Sequence, residues 1–403
     1  MKIILLLGGS EQQIVAIETA KRLGLYTILC DYLPDNPGQF HADKFYLIST
    51  TDKEKILRVA MLEGISGVIA YASDPAAPTA AYVAEKMGLP TNPYKAVEIL
   101  CNKDLFREYL KTHGFSVPLS KGYSNRQQAI DDIKAFNYPL IIKPVDSSGS
   151  KGITVLHSEH GLEKAIDFAF SFSRTHRIII EEYIEKKHPY LIGGDIFVSN
   201  GKVILWGLMN CHRDNQVNPL VPVGKSYPLK LSEQDLTAVK NTLQKMVSGL
   251  GIKFGPMNVE LIVDSLYHVY LIDVGPRSGG NMIPDLLGLI FNCDLVEMSL
   301  KSAMGQDIDC GLLQSNNEYL ATFNLHSNRN GVLNRIEFTP IISEYIIGKR
   351  VYKKRGDKVR YFSNAADALG IVFLKFPDEK TMLEMEDHMN EHIRVVLQGE
   401  VGL

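Results

Sequence analysis

Lys143 lies in the segment IIKPVDSSGSKG, residues 141–152, on an apolar strand closed by Pro144 and followed by Ser147, Ser148, Gly149, Ser150 and Gly152. A strand holds an ammonium as a fixed point charge, while Gly and Ser let backbone N–H groups approach phosphate oxygens closely. The chemistry open to such a set is the gripping of a polyphosphate. The spacing is not GxxxxGK[ST], so this is no Walker A loop. Gly and Ser turns between strands are commonly plain hairpins, and it is the adjoining Lys143 that carries the reading.

A second group of residues lies in GPMNVELIVDSLYHVYLIDVGPRSGGN, which reads as two strands joined around Leu266 and Tyr267. A hairpin centred there sets Glu260 opposite Asp273 and Asn258 opposite Gly275, all on one face because strand side chains alternate. Directly opposed Cβ atoms are about 5 Å apart, so two carboxylates meet on an otherwise apolar ribbon. A divalent cation resolves their repulsion, and Mg²⁺ suits oxygen ligands beside nucleotide phosphates. Arg277 follows just past Gly275, where a guanidinium stabilises charge on a transferring phosphoryl group or orients a carboxylate.

The elements around these residues must position them. Up to about residue 100 strands and helices alternate: KIILLL, a helix with Ile14, Ile17, Ala20 and Leu23 on one stripe, YTILC, then GVIAYA. Such alternation predicts a parallel sheet covered by helices, a Rossmann-like half-domain. Its first turn, GGSEQQ, does not spell GxGxxG, and Asp31 follows too generically to imply a dinucleotide. Tight strand-to-helix packing is the expectation for Gly8 and Gly9, with contact to an anionic substrate as the alternative. Residues 93–114 read as helical and 126–136 as a further helix; YPLIIKP, ITVLHS and RIIIEEYI read as strands. Asn200-Gly201 supplies hairpin turn chemistry. Beyond about residue 317, strands, a basic stretch at 349–358 read as a solvated strand or loop, and a final helix suggest a smaller closing subdomain.

The bulk properties narrow the class. The chain has 403 residues, 45% of them hydrophobic and 22% charged, which is ample for a buried core and two or three domains. A formal net charge of −3 leaves no basic footprint for nucleic acid. No run approaches the roughly 20 apolar residues of a membrane span, and the N-terminal run reads as a buried first strand, not a signal peptide. Cys30, Cys101, Cys211, Cys293 and Cys310 are scattered, without a CxxC pair, so a reducing cytoplasm is expected and a zinc site is not. The expected partners are small molecules.

In this order the pieces resemble the ATP-grasp superfamily of carboxylate-amine and carboxylate-thiol ligases, from residue 1 to at least Pro284. The metal hairpin is similar to that of carbamoyl-phosphate synthetase, and the N-terminal half-domain to the one preceding the ATP-grasp fold there and in purine-pathway ligases such as phosphoribosylglycinamide synthetase. The fold class implied is α/β, α+β overall. It divides into a Rossmann-like pre-ATP-grasp domain at 1–95, a lid region at 96–188, a catalytic sheet with the metal hairpin at 189–310 and a C-terminal subdomain at 311–403. The resemblance implies that Lys103 and Lys143 hold the α- and β-phosphates of ATP, under a lid loop containing Ser148, Gly149, Ser150 and Gly152. Glu181, Glu182, Tyr183 and Ile184 would line the adenine, and Arg213 would lie near the phosphates. Glu260 and Asp273 would bind Mg²⁺, with Mn²⁺ as a substitute, and Arg277 would act on the γ-phosphate and the acyl phosphate.

The expected reaction is attack of a carboxylate on ATP, giving an acyl phosphate and ADP, then displacement of phosphate by an amine. The acid is expected beside Gly279, Gly280 and Asn281, and a homodimer is compatible with the class. Two positions depart from the family. Leu191 stands where many members have a ribose-binding Glu, with Glu185 as a candidate substitute. Gly275 stands where an Asn is common, and Asn258 is the candidate to supply the missing oxygen to a metal. The rival reading is a catalytically silent MgATP-binding regulatory protein of the same fold; an NAD-dependent dehydrogenase rests only on the N-terminal half-domain.

Overall fold

The computed structural model describes residues 1–308 and 311–399, so Cys310 lies outside the described residues. Strands Lys44–Leu47, Tyr26–Asp31, Ile3–Leu7 and Gly67–Ile69 form, in that order, a parallel sheet. Both faces are covered, as a parallel sheet requires. Leu5, Leu7, Ile28 and Cys30 pack under Ala76, Ala80 and Val83 on one side, and Ile4, Leu6 and Leu29 meet Ile17, Val296 and Leu300 on the other. The period-2 alternation of Ile3–Leu7 therefore assigns each residue to one of two cores. Gly9 N–H donates to Asp31 at 2.7 Å, and a Cβ on Gly38 would lie 2.7 Å from Gly9 Cα. The glycines serve close packing.

A second, antiparallel sheet runs Ser120–Tyr123, Ile178–Glu182, Leu140–Pro144, Thr154–Leu156. Leu140, Ile142, Ile178 and Ile180 face the helix Leu162–Phe172 in a closed core. Ile141, Lys143, Ile179 and Glu181 must then point the other way, into the cleft. The predicted helix at 126–136 is α-helical over Arg126–Asp131 and tightens to a 3₁₀ turn over Asp132–Ala135. Residues 93–114 form two helices, Tyr94–Leu100 and Lys103–Thr112, broken at Cys101 and Asn102.

The largest sheet has eight strands in the order Val269–Gly275, Gly255–Val263, Leu191–Ser199, Lys202–Asp214, Asn218–Tyr227, Tyr319–Leu325, Gly370–Phe376 and Ile346–Val351. Asn200 and Gly201, at φ 50° and 76°, make the expected tight turn. Met257, Val259 and Leu261 pack under the helix Glu233–Gly249 with Val239, Leu243 and Met246, which turns Asn258 and Glu260 to the cleft. Of the strands after residue 317, Tyr319–Leu325, Gly370–Phe376 and Ile346–Val351 extend this same sheet, while Gly331–Phe338 pairs with Lys358–Val359 and Ile393–Leu397 in a separate three-stranded sheet. The described chain ends on a strand, Ile393–Leu397, paired with Gly331–Phe338, and not on a helix; the β-branched run IRVV suits a pleated edge. The basic stretch begins on the exposed edge strand Ile346–Val351, where Lys349 and Arg350 discourage further pairing, and continues through a loop carrying Lys353, Lys354 and Arg355 to Lys358. No helix of the described residues is long and apolar enough to cross a membrane.

Candidate active site

The hairpin forms in the anticipated register: Glu260 pairs with Asp273 and Asn258 with Gly275. A bulge between Glu260 and Leu261 then shifts the ladder by one toward the turn, which Asp264 closes by accepting from Leu266 N–H at 2.9 Å and His268 N–H at 2.8 Å. The two carboxylates are not left to repel each other. Arg213 reaches Glu260 at 3.0 Å, and Lys103, at the start of helix Lys103–Thr112, reaches Asp273 at 3.3 Å. Partial burial opposes ionisation of Asp273, but Lys103, Lys143 and Arg277 together hold its carboxyl below the ordinary value.

Lys143 is buried and paired with Glu181 Oε2 at 2.5 Å, and Arg107 Nε meets the other oxygen of Glu181 at 2.6 Å. Arg107 also donates to the carbonyls of Leu271 at 3.0 Å and Ile272 at 2.7 Å. One guanidinium thus ties the helix of Lys103, the lid strand of Glu181 and the strand of Asp273 together. Burial would raise the Glu181 carboxyl, yet Arg107 and Lys143 hold it down at about 2. The Glu181 side chain is therefore committed to this ion group. Glu182 Oε1 accepts from Asn137 N–H at 2.8 Å and Asn137 Nδ2 at 2.9 Å. The N–H groups of Glu182 and Tyr183 donate to Leu119 O and Pro139 O, each at 2.9 Å, and the Tyr183 side chain is exposed.

The Gly and Ser loop bends through left-handed conformations at Gly149, Ser150 and Gly152, at φ 68°, 63° and 73°. It is closed over the cleft: Ser150 Oγ donates to Leu220 O at 2.8 Å, and Ala365 N–H donates to Gly149 O at 3.4 Å. Lys103 Nζ donates to Ser147 O at 3.0 Å, joining the loop base to the second lysine.

Arg277 leaves the hairpin toward the N-terminal domain. Its Nε donates to Asp74 Oδ1 at 2.7 Å, its Nη2 to Asp74 Oδ2, and its Nη1 to Ser278 O at 2.9 Å. Gly275 makes this possible, since a Cβ there would sit 2.4 Å from Asp74 Oδ1. Gly275→Ala is accordingly expected to cost about 1–3 kcal/mol through overpacking, read as a lowered denaturation midpoint. An unchanged midpoint would show that Asp74 can move aside freely. A cavity of about 270 Å³ opens between Asp74, Lys103, Asp273 and the lid residues Asp146, Ser147 and Thr175.

Asn258 is fixed by its amide nitrogen, which donates to Asp195 Oδ1 at 2.8 Å and Gly194 O at 3.0 Å. Asp195, buried, accepts from Gly279 N–H at 2.7 Å, and burial raises its carboxyl above the ordinary value. Gly279 and its neighbours are thereby held against the sheet, and Asn281 N–H donates to Gln12 Oε1 at 2.6 Å. Leu191 opens its strand half-buried, and Glu185 is exposed. Reasoning from sequence missed Arg107, Asp195 and Lys225. Lys225 is a buried ammonium beside Cys211, in space left by Gly193, where a Cβ would lie 2.8 Å from its Nζ.

Among the described residues no group of three or more His, Cys, Asp or Glu is arranged to hold a metal. Two carboxylates in cross-strand register fit Mg²⁺, which takes one or two protein carboxylates and completes its shell with water and phosphate; they do not fit a closed zinc site.

A sheet carrying Lys143 and Glu181 that faces the sheet of Glu260 and Asp273 across a cleft fits the ATP-grasp class. Residues 136–285 match the family model described as the ATP-grasp domain, and the chain carries that domain. The formate-dependent phosphoribosylglycinamide formyltransferase of Vibrio vulnificus is 28% identical over 293 residues, 68% of this chain and 69% of that protein. The structure of an L-amino acid ligase from Bacillus licheniformis superposes with a TM-score of 0.82 at 19% identity, covering 99% of each chain. Phosphoribosylglycinamide synthetase from Anaerococcus prevotii gives 0.76 at 19% identity, covering 98% of this chain and 100% of that one. The fold is that of the ATP-grasp ligases along nearly the whole chain.

Proposed function

We propose that this chain is an ATP-dependent ligase that activates a substrate carboxylate as an acyl phosphate for attack by an amine. The observation that carries the reading is the opposition, across one cleft, of Lys143 and Lys103 to Glu260 and Asp273, with Arg277 at the cleft's inner end. Phosphoryl transfer needs charge neutralisation and positioning more than covalent help, and this cleft has charge and fixed geometry without an activated Ser or Cys.

Lys103 and Lys143 hold the nucleotide phosphates, and the closed loop with Ser148, Gly149, Ser150 and Gly152 excludes water from the acyl phosphate. The stretch Glu181, Glu182, Tyr183 and Ile184 lines the adenine, and with the N–H groups of Glu182 and Tyr183 already bonded, Ile184 supplies the backbone donor. Glu260 and Asp273 hold Mg²⁺, or Mn²⁺ in its place, with Asn258 as a further oxygen donor; the ion when bound neutralises phosphate charge. Arg213, already against Glu260, stands by the same phosphates. Arg277 meets the γ-phosphate and the acyl phosphate, and the acid substrate lies against Gly279, Gly280 and Asn281. The ligase and synthetase names of the chains of like fold agree with this class and leave the acid and amine open.

ADP release measured over pools of carboxylic acids and amines tests the reading. Turnover with at least one pair is expected, and tight MgATP binding with no turnover on any pair would sink it. For Lys143→Ala the expected result is a folded protein whose MgATP affinity falls by one to two orders of magnitude, an ion pair to phosphate being worth about 1.5–3 kcal/mol. Calorimetric affinity equal to the parent's would remove Lys143 from the phosphate site.

A further inference from the structure

Arg277 is the residue proposed above to meet the transferring phosphoryl group, yet its guanidinium is already engaged. Two parallel N–H···O bonds run to the Asp74 carboxylate, one of them at 2.7 Å. That fork-to-fork geometry is how an arginine holds a carboxylic acid or a phosphate as ligand. The carboxylate comes from the N-terminal domain, 203 residues earlier in the chain. It fills the space that the missing side chain of Gly275 leaves, for a Cβ there would lie 2.4 Å from Asp74 Oδ1 and 3.1 Å from Arg277 Cζ. Asp74 also lines the cavity of about 270 Å³ that it shares with Lys103 and Asp273, so it has somewhere to go when displaced.

We propose that Asp74 is an internal stand-in for the acid substrate: it occupies Arg277 in the free protein and is exchanged for the incoming carboxylate or phosphate as the site fills. The proposal rests on the ligase reading. Exchange keeps the guanidinium neutralised at every stage, which matters because a buried cation stripped of its partner is strongly destabilising. It also makes the acid-binding group conditional on the docking of the N-terminal domain, which carries Asp74. A residue that merely oriented Arg277 would strengthen anion binding; a stand-in competes with it. The two roles predict opposite signs.

The probe is inorganic phosphate, titrated calorimetrically into protein saturated with MgADP, for the parent, Asp74→Asn and Arg277→Ala. Removing the competing charge in Asp74→Asn is expected to tighten phosphate binding about tenfold, and Arg277→Ala is expected to abolish it. Phosphate affinity unchanged or weakened in Asp74→Asn, or retained in Arg277→Ala, overturns the proposal while leaving MgADP binding and the ligase reading intact. Absence of MgADP binding to the parent overturns both. Thermal unfolding checks that each variant is folded, and Asp74→Ser, read with the same sign, replaces Asp74→Asn if that variant is not.

Discussion

Asp273→Asn is expected to lower ATP-dependent turnover by roughly 10²–10³-fold, the usual loss when one preorganised group facing transition-state charge is removed. The substitution keeps shape, deletes the charge and exchanges one acceptor oxygen for an amide donor. Asp273 stands directly opposite Glu260 in the ladder, so one of the two carboxylates that fit Mg²⁺ disappears. Lys103, 3.3 Å away, loses its counter-charge at the same time. Stability should move little: the Asp273 side chain is 43% exposed, and pairs of that exposure contribute about 1 kcal/mol or less. Mn²⁺ affinity read by magnetic resonance should collapse together with turnover. Full turnover with MgATP in this variant would remove the hairpin from the chemistry.

Arg107→Ala should produce the largest loss of stability, about 3–5 kcal/mol, the cost of removing one partner from a buried ion group. Arg107 and Glu181 are each 3% exposed. Without the guanidinium, Glu181 faces Lys143 alone, and the carbonyls of Leu271 and Ile272 lose their donors. Denaturant titration measures this, and a loss under 1 kcal/mol would mean that water replaces the guanidinium readily. The same group sets an acid limb. Glu181 is held at about 2 against an ordinary 4.5, so its contribution is fully present above pH 4.5 and is lost as pH falls from there toward 2. Glu181→Gln should flatten stability across that window; an unaltered acid limb would place the titrating group elsewhere, Asp214 included, which is also held at about 2 despite its burial, by His326 and Asn390.

The parts of the site written in local pattern were legible in the sequence. Alternation alone set Glu260 against Asp273, because a hairpin's register follows from its turn, and the bulge that spoils the symmetry falls on the turn side of that pair. Asn200-Gly201 announced its own turn. Arg107 was hidden because its partners lie on strands distant in sequence: Ile272 is 165 residues away. A clue existed, since Arg107 follows Lys103 by one helical turn and shares its face, between the buried Phe106 and Leu110. In the sequence Asp74 is one acid among many, and Gly275 is a departure from a family pattern. The contact that explains both is made between domains. The adenine stretch was located by its order along the chain, but the commitments of Glu181 and Glu182 follow from Arg107, Lys143 and Asn137, which only folding brings together.

The closed Gly and Ser loop is fastened across the cleft by two hydrogen bonds, Ser150 to Leu220 O and Ala365 N–H to Gly149 O. At about 0.5–1.5 kcal/mol each, the two bonds together favour the closed loop by about 1–3 kcal/mol. Ser150 supplies one of the two fasteners through its hydroxyl alone, so loss of that single oxygen in Ser150→Ala halves the hold on the loop's crown.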